Sequence, residues 1–581
     1  MFNNQDILRD LTTEQEAACT ATGNLLLTAC PGSGKTLVLT RRLAYVTALN
    51  QQSRKWNIAI TYTNRAADEI TNRLDVFGVD QTYIWTGTIH QFCMQFIIRP
   101  YAMYSDRLKK GYTIIDEYTQ REYGKEVAEI LGHNLPAYSN PLDTDSIRKA
   151  YYEKLKTNKE IDFEQILFFA HKLVNENEFI CTNISSVISS ILVDEFQDTN
   201  DLQYKILSLI YKKNKSISLL FVGDVNQAIY GSLGGTAKNK VEMDLLFDTT
   251  FLESSLTGCF RSTQRIVDLY TAFEVDETGV MSVSGEKDNV GIVSFSNTVK
   301  KEDLPSYIAG IISSELSSGT PDSEICIVAP QWVQLFNLTP KLKALLPELN
   351  FDAPDISPIK YDPMNPFYLI ARLVFTESGK NVSLRKKIAT ELLVMLSSDF
   401  KLSIPDNLNN YDVLRVVNLS TKGNGDGLEI LKNTIYSVFE LLKTQIEREE
   451  QLHGLLEMFF KKTYDRVRRY AIDVDYNSIS KFFKEKQGVV LSTLHGVKGE
   501  EYTTVISFAL LNGYLPHWNY IIKDELKPER YNETIKLLYV LCSRAKQNIY
   551  LLSEKGHTTQ SGNEYHATDE LVAVMNHFKC D

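Results

Sequence analysis

The chain has 581 residues, of which 43% are hydrophobic and 23% charged. That is too long for one hydrophobic core and too apolar for a disordered chain, so about three to five folded units are expected. The formal net charge of −11 argues against a generic basic nucleic-acid binder, unless contacts lie in a narrow groove of hydroxyls, amides and a few cations, where the local field governs binding.

No apolar run reaches the roughly 18 residues that cross a bilayer. The start, Met1-Phe-Asn-Asn-Gln-Asp-Ile-Leu-Arg-Asp10, lacks a basic region followed by an apolar one. The expectation is a cytoplasmic protein without a membrane partner. The cysteines at 19, 30, 93, 181, 259, 326, 542 and 580 are scattered without a Cys-x-x-Cys pair, which reads as reduced thiols rather than zinc or redox ligands.

Asn24-Leu-Leu-Leu-Thr28 reads as a short buried strand, and from Lys35 onward Val38, Leu39, Leu43 and Val46 recur at helical spacing. Between them lies Ala29-Cys-Pro-Gly-Ser-Gly-Lys-Thr36. A turn through Gly32, Ser33 and Gly34 that opens a helix aims backbone N–H groups and the positive end of the helix dipole at an anion. Lys35 then suits the β- and γ-phosphates, and the Thr36 hydroxyl suits Mg²⁺. The strict pattern has Gly where Ala29 stands, while the crowded positions Gly32 and Gly34 are kept.

After a mainly helical stretch containing Ile161-Asp-Phe-Glu-Gln-Ile-Leu-Phe-Phe169, the apolar strand Ile191-Leu-Val193 ends in Asp194-Glu-Phe-Gln-Asp198. Adjacent carboxylates at a strand tip suit a pair of tasks, holding Mg²⁺ (Asp194) and orienting the attacking water (Glu195). Taken alone, such a pair is more often a solvated loop, and its meaning comes from the motifs around it. Ser218-Leu-Leu-Phe-Val222 is a third strand, leading to Gly223-Asp224 and to Gln227, whose amide could sense a γ-phosphate. Three such tips in series describe the C-terminal edge of a parallel α/β sheet, where ligands bind.

Farther on, Thr421-Lys-Gly-Asn-Gly-Asp-Gly427 reads as a loop, Leu428 to Leu442 as a helix, and Gln445-Ile-Glu-Arg-Glu-Glu450 as an exposed helix face. The apolar residues Leu455, Leu456, Met458, Phe459 and Phe460 leave open an internal core or a docking surface. The acids after residue 548, Glu554, Glu564, Asp569 and Glu570, read as solvated side chains rather than a two-metal nuclease site.

In order, these segments resemble the motifs of superfamily 1A helicases of the UvrD/Rep/PcrA kind. Leu11-Thr-Thr-Glu-Gln15 resembles the Q motif, Ile60-Thr-Tyr-Thr-Asn-Arg-Ala-Ala67 motif Ia, and Trp85-Thr-Gly-Thr-Ile-His90 motif Ib. Val222-Gly-Asp-Val-Asn-Gln-Ala-Ile-Tyr-Gly231 resembles motif III and Thr257-Gly-Cys-Phe-Arg-Ser262 motif IV. Gly488-Val-Val-Leu-Ser-Thr-Leu-His-Gly-Val-Lys-Gly-Glu-Glu501 is similar to motif V and Leu538-Tyr-Val-Leu-Cys-Ser-Arg-Ala545 to motif VI.

The resemblance implies an α/β P-loop NTPase with two RecA-like parallel-sheet domains, each carrying a mainly helical insertion. The first would comprise residues 1–92 and 186–253 with an insertion at 93–185. The second would comprise 254–350 and 484–581, with a reduced insertion at 351–483. ATP and Mg²⁺ are the implied cofactors. Gln15 would read adenine, Phe260 would stack on it unless it serves core packing, and Gly499 and Glu501 would line the ribose side. Arg261 and Arg544 would reach the γ-phosphate as arginine fingers.

For single-stranded or partly duplex DNA the resemblance implies Tyr62, Thr63, Asn64, Thr88, His90, Tyr230, Thr493 and His495, through hydroxyl and amide contacts to phosphates and aromatic stacking on bases. Two departures stand out: Ser232 replaces a base-stacking Trp, and Leu37 replaces an Arg beside the adenine. The implied activity is ATP-driven 3′→5′ movement on single-stranded DNA. The short second insertion is also similar to that of the helicase subunit of Gabija-type anti-phage defence systems, which implies an OLD-type nuclease partner. A repair or recombination helicase, or an ATP-switched DNA-end or nucleotide sensor with little unwinding, stays open as an alternative.

Overall fold

The computed structural model describes residues 4–580 except 50–52, 135–139, 232–233, 353–356, 361, 380, 421–424, 471, 484–487, 523–525 and 560–561. Two six-stranded sheets dominate it, every strand pair in them parallel. The first contains β1 (Asn24–Ala29), β2 (Trp56–Thr61), β3 (Ile84–Thr88), β4 (Ile188–Asp194), β5 (Ser218–Gly223) and β6 (Phe251–Leu256), in the order β3-β2-β4-β5-β1-β6. The second contains β7 (Ile292–Ser296), β8 (Ile325–Ala329), β9 (Phe351–Asp352), β10 (Val489–Thr493), β11 (Tyr502–Ser507) and β12 (Ala545–Leu552), ordered β7-β12-β11-β8-β10-β9.

The inner strands read as continuous apolar runs because successive side chains alternate between the two faces and both faces are covered there. In the first sheet Leu26, Ile58, Ile60, Ile191, Val193, Leu219 and Phe221 share one core, while Leu25, Leu27, Ala59, Leu192, Leu220 and Val222 share another. The second sheet does the same, with Cys326, Val328, Val490 and Val505 on one side and Ile325, Ile327, Val489, Leu491 and Ile506 on the other.

The helical stretch after β3 begins as a cover for the first sheet. Phe92, Met94, Ile97, Phe169, Leu173, Ile180 and Ile184 lie in its core, whereas the helices Glu117–Ile130 and Asp145–Asn158 stand off on small cores of their own. The described residues of 366–481 form a separate helical body around Leu369, Leu392, Leu431, Val438 and Phe459.

The helix expected over Leu428–Leu442 runs Gly427–Leu441, capped by Asp426, whose carboxylate accepts the Leu428 and Glu429 N–H groups. The loop expected before it lies in its first four residues outside the described residues. Gln445–Glu450 is not an exposed helix face: a short 3₁₀ turn at Ile446–Arg448 buries Ile446 before the next helix starts at Glu450. In that helix Leu456, Phe459 and Phe460 are core and Met458 is exposed.

The helical body is tied to the first sheet's domain by ion pairs. Asp399 accepts two bonds from Arg99, at 3.0 and 2.8 Å, Asp68 pairs with Arg372, and Lys387 donates to the Thr86 carbonyl at 2.7 Å. Among the described residues no helix is long and apolar enough to cross a membrane.

Candidate nucleotide site and adjoining strand face

β1 leads into the phosphate loop, and the helix Lys35–Leu49 starts where the loop ends. Gly32 and Gly34 have φ of +74° and +83°, a region that L side chains enter at a cost and glycine enters freely. Space forbids a side chain at Gly32 as well, because a Cβ there would stand 2.5 Å from the Cβ of Arg261. Ser33 is buried and donates through Oγ to the Cys30 carbonyl at 2.8 Å, closing the turn. Thr36 lies in the first helical turn with its side chain half-buried.

Gln15 sits in the capping box of the helix Thr13–Thr20, its Oε1 accepting the Thr12 N–H at 3.1 Å. Its Nε2 donates to the Ser33 carbonyl at 2.9 Å, so this amide buttresses the phosphate loop from behind.

β4 brings Asp194 and Glu195 to the same edge, with Lys35 Nζ 3.8 Å from Glu195 Oε1. Glu195 adopts φ +52°, a left-handed backbone that costs a non-glycine residue on the order of 1–3 kcal/mol and that surrounding contacts must hold. The clamp is Gln197, which donates to Glu195 Oε2 and accepts the Asp224 N–H at 3.0 Å. Burial works against ionising Glu195, but Lys35 and Lys498 outweigh it and hold the carboxyl below its ordinary range. Burial, reinforced by the Glu195 charge, pushes Asp194 up. The two adjacent carboxyls are thus shifted in opposite directions. Thr36 and Asp194 supply the hard oxygen donors that suit Mg²⁺.

The second sheet reaches this edge. Arg544, 1% exposed, donates to Gln227 Oε1 at 3.0 Å, to Ser543 Oγ at 2.8 Å and to the Val540 carbonyl at 2.9 Å. Burial, then the neighbouring Arg261, lowers its pKa to about 10, so it remains charged at neutral pH. Gln227 in turn donates to Asp224 Oδ2 at 2.8 Å.

Arg261 lies against Gly32 and donates to Glu501 at 2.7 Å and to the Ser543 carbonyl at 2.9 Å. Glu501 is also 3.6 Å from Lys546. Although burial opposes it, Arg261 keeps the Glu501 carboxyl below its usual range. Gly499, at φ +83°, lets the chain turn before this acid. Phe260 is 45% exposed, and its backbone N–H donates to the Gly32 carbonyl at 2.9 Å. Its ring is therefore presented beside the loop rather than consumed by the core.

Of the residues expected to face DNA, three converge. Tyr62 and Tyr230 stack with ring centroids 4.8 Å apart and planes at 23°, and the His495 ring lies 5.8 Å from Tyr230. Tyr230 Oη also donates to the His495 carbonyl at 3.2 Å, joining the two sheets' loops. Thr63 and Thr88 cap the helices that follow β2 and β3, accepting from the Ala66 and Gln91 N–H groups at 3.2 and 3.4 Å. Asn64 opens the first of these helices.

Thr493, at the end of β10, accepts the Gly496 N–H at 3.1 Å. His90 is set apart: its ring packs edge-on against Phe163 at 5.7 Å, and burial lowers its pKa to about 4. Ser232 lies outside the described residues.

Two participants were present in the motifs without an assigned role. Lys498 donates to Asp198 Oδ2 at 2.6 Å and to the Gln227 carbonyl, with its ammonium 5.2 Å from the Tyr230 ring centroid. Lys498 and Asp198 are nearly inaccessible, at 7% and 0% side-chain exposure. A lysine inside a Gly-rich turn was the available signal, but its partner is 300 residues away in sequence. Glu554 is a correction: it is buried rather than solvated, accepting the Ala509 N–H at 2.9 Å and lying 3.0 Å from His557 Nε2. It thereby holds Ala509, whose φ is +58°. Asp569 and Glu570 pair with Arg530.

Known proteins are similar to this chain in sequence. The family model of the UvrD/REP helicase N-terminal domain matches residues 11–145 and 140–248, and that of the UvrD-like helicase C-terminal domain matches 413–556. The ATP-dependent DNA helicase PcrA of Staphylococcus epidermidis is 24% identical over 94% of this chain and 83% of its own length. Its counterpart in Staphylococcus aureus is 25% identical over the same shares. The parallel sheets, the nucleotide-loop geometry and both halves of one family's signature agree: the chain is an enzyme of the UvrD/Rep/PcrA-like superfamily 1 helicases.

Proposed function

We propose that the chain hydrolyses ATP in the cleft between its two sheets and uses the cycle to move 3′→5′ along single-stranded DNA. The observation that carries this reading is the bridge between the sheets: Arg544 on Gln227 and Lys498 on Asp198. Both bonds join a phosphate-edge residue of the first sheet to a loop of the second. The working units are residues 1–92 with 186–253 and 254–350 with 484–581, carrying insertions at 93–185 and 351–483.

In this reading the loop N–H groups and Lys35 bind the triphosphate, and the ring of Phe260 stacks on the base. Glu195, kept ionised by Lys35 and Lys498, accepts a proton from the attacking water. Thr36 and Asp194 would hold Mg²⁺, which would neutralise phosphate charge when bound. Arg261 and Arg544 face the phosphate that departs, and Gln227 passes its state to Lys498. Tyr62, Tyr230 and His495 offer aromatic surface to bases, with Thr63, Asn64, Thr88 and Thr493 near the backbone. His90 would act by orienting this loop through Phe163.

A Gabija-type defence role beside an OLD-type nuclease belongs to the same proposal. Its support is the shortness of the second insertion. Purification with the product of the adjacent gene, followed by a test for DNA cleavage that needs both proteins, checks it.

The ATPase test compares two variants on single-stranded DNA. Lys35→Ala should lose nucleotide binding or turnover. Glu195→Gln should keep binding while turnover falls about 10²–10⁴-fold, the usual share of a positioned base. Wild-type turnover in Glu195→Gln would contradict the assignment.

A further inference from the structure

We propose that Glu500 is a positioning residue that holds Arg65 across the gap between the two sheets until single-stranded DNA arrives, when a strand phosphate takes the guanidinium and releases Glu500. The inference rests on the DNA reading above and deepens it, adding one phosphate contact and one bond that strand binding breaks.

Arg65 follows Asn64 in the first turn of the helix Asn64–Val76, at the border of the proposed strand face. It is the only cation in Tyr62-Thr-Asn-Arg-Ala-Ala67. Nearby acids of its own helix are taken up elsewhere, Asp68 by Arg372 and Glu69 by Arg73. Arg65 instead donates through Nη1 to Oε1 of Glu500, 435 positions away in the turn between β10 and β11. The ring stack joins the same two segments, since Tyr62 lies on Tyr230 and Tyr230 bonds to the His495 carbonyl.

The partners are unequally placed: the Arg65 side chain is 67% exposed and that of Glu500 19%. An ion pair with one arm in water contributes a factor of only about one to five to an equilibrium. A phosphate offers the same guanidinium a bidentate, charge-assisted fit. The strand can therefore displace this carboxylate, whereas the buried pair of Lys498 and Asp198 is closed to it.

Glu500 is also tied to the nucleotide side. Its N–H donates to the Val497 carbonyl at 3.1 Å, and its carbonyl accepts from Arg544 Nη1 at 3.3 Å. The next residue, Glu501, accepts from Arg261 at 2.7 Å. Losing the Arg65 bond frees the turn that seats both proposed arginine fingers, which gives strand binding a route to the phosphate edge.

The test uses the full chain. A labelled oligothymidylate is titrated without nucleotide at several salt concentrations, and ATP turnover is followed as the same strand is added. Arg65→Ala should weaken binding and reduce the slope of log affinity against log salt by about 0.7, the share of one phosphate on a single strand. Arg65→Lys should keep that slope. Glu500→Gln should tighten binding by about two- to fivefold, the range of an exposed ion pair. The strand concentration that gives half-maximal turnover should fall by the same factor. When Arg65→Ala and Glu500→Gln are combined the tightening should vanish, because the carboxylate no longer has a guanidinium to hold.

Equal tightening by Glu500→Gln with and without Arg65 overturns the proposal, because the acid would then act on the strand by its charge alone. So does an Arg65→Ala chain with wild-type affinity and slope. A wild-type chain that binds no single strand removes the DNA reading and this inference together. A wild type that binds, matched by Arg65→Ala, removes this inference alone.

Discussion

At the scale of single residues, the site depends on charges placed where water cannot screen them. Arg544 is the clearest case. Its guanidinium is buried and bonded to Gln227, Ser543 and Val540, a fork that lysine cannot reproduce. Arg544→Lys should therefore lower turnover by at least about tenfold and Arg261→Ala by more, given the 10³–10⁵-fold worth of arginine fingers, with single-strand affinity little changed. Rapid-quench turnover and fluorescence anisotropy on the same DNA separate the two effects. A collapse of affinity with surviving turnover would make these residues DNA contacts. That the phosphate-loop glycines, the acid pair and both arginines gather at one sheet edge was expected from the strand-tip motifs and, for the arginines, from the family resemblance. Lys498 and the buried state of Glu554 were not, because each is defined by a partner from another element.

At the scale of elements, the strand ends set the face that is proposed for DNA. β2 ends beside Tyr62, and the turn after β5 carries Tyr230 against it. Tyr62 is 41% exposed while stacked on Tyr230, so a base could add to this stack or replace one ring. Tyr62→Ala should weaken single-strand binding by about 1–3 kcal/mol, the worth of one stacked base, and leave DNA-free ATP turnover within error. Equilibrium titration with a labelled oligonucleotide checks this, and unchanged affinity would send the strand along another path. The helix from Gly427 was readable from its apolar periodicity. The turn at Ile446–Arg448 was misread because one buried isoleucine between charges carries no period.

At the scale of the whole molecule, the two sheets meet through the bonds of Arg544 on Gln227 and Lys498 on Asp198. Lys498 touches Asp198, Gln227 and the Tyr230 ring together, so it links the phosphate edge to the strand face. Lys498→Met leaves a buried carboxylate unpaired, a loss of about 3–5 kcal/mol for such pairs. The stimulation of ATP turnover by single-stranded DNA should fall more than the DNA-free rate. Adding Asp198→Asn should recover part of the lost stability, a coupling that a double-mutant cycle reads directly. Additive losses would show that the pair does not act as a unit.

The acid excess of the chain is compatible with the proposed DNA path, because the residues assigned to it offer rings, hydroxyls and amides. In the proposed cycle, cleft closure drives movement along a strand. The most direct measurement is steady-state ATP turnover by the purified chain on single-stranded DNA of increasing length, with release of streptavidin from a biotinylated 5′ end followed in parallel. For such a cycle, turnover rises with length to a plateau, and ATP-dependent release at the 5′ end is lost in Glu195→Gln. Turnover independent of length, with streptavidin retained, would contradict it and leave an ATP-switched DNA binder in its place.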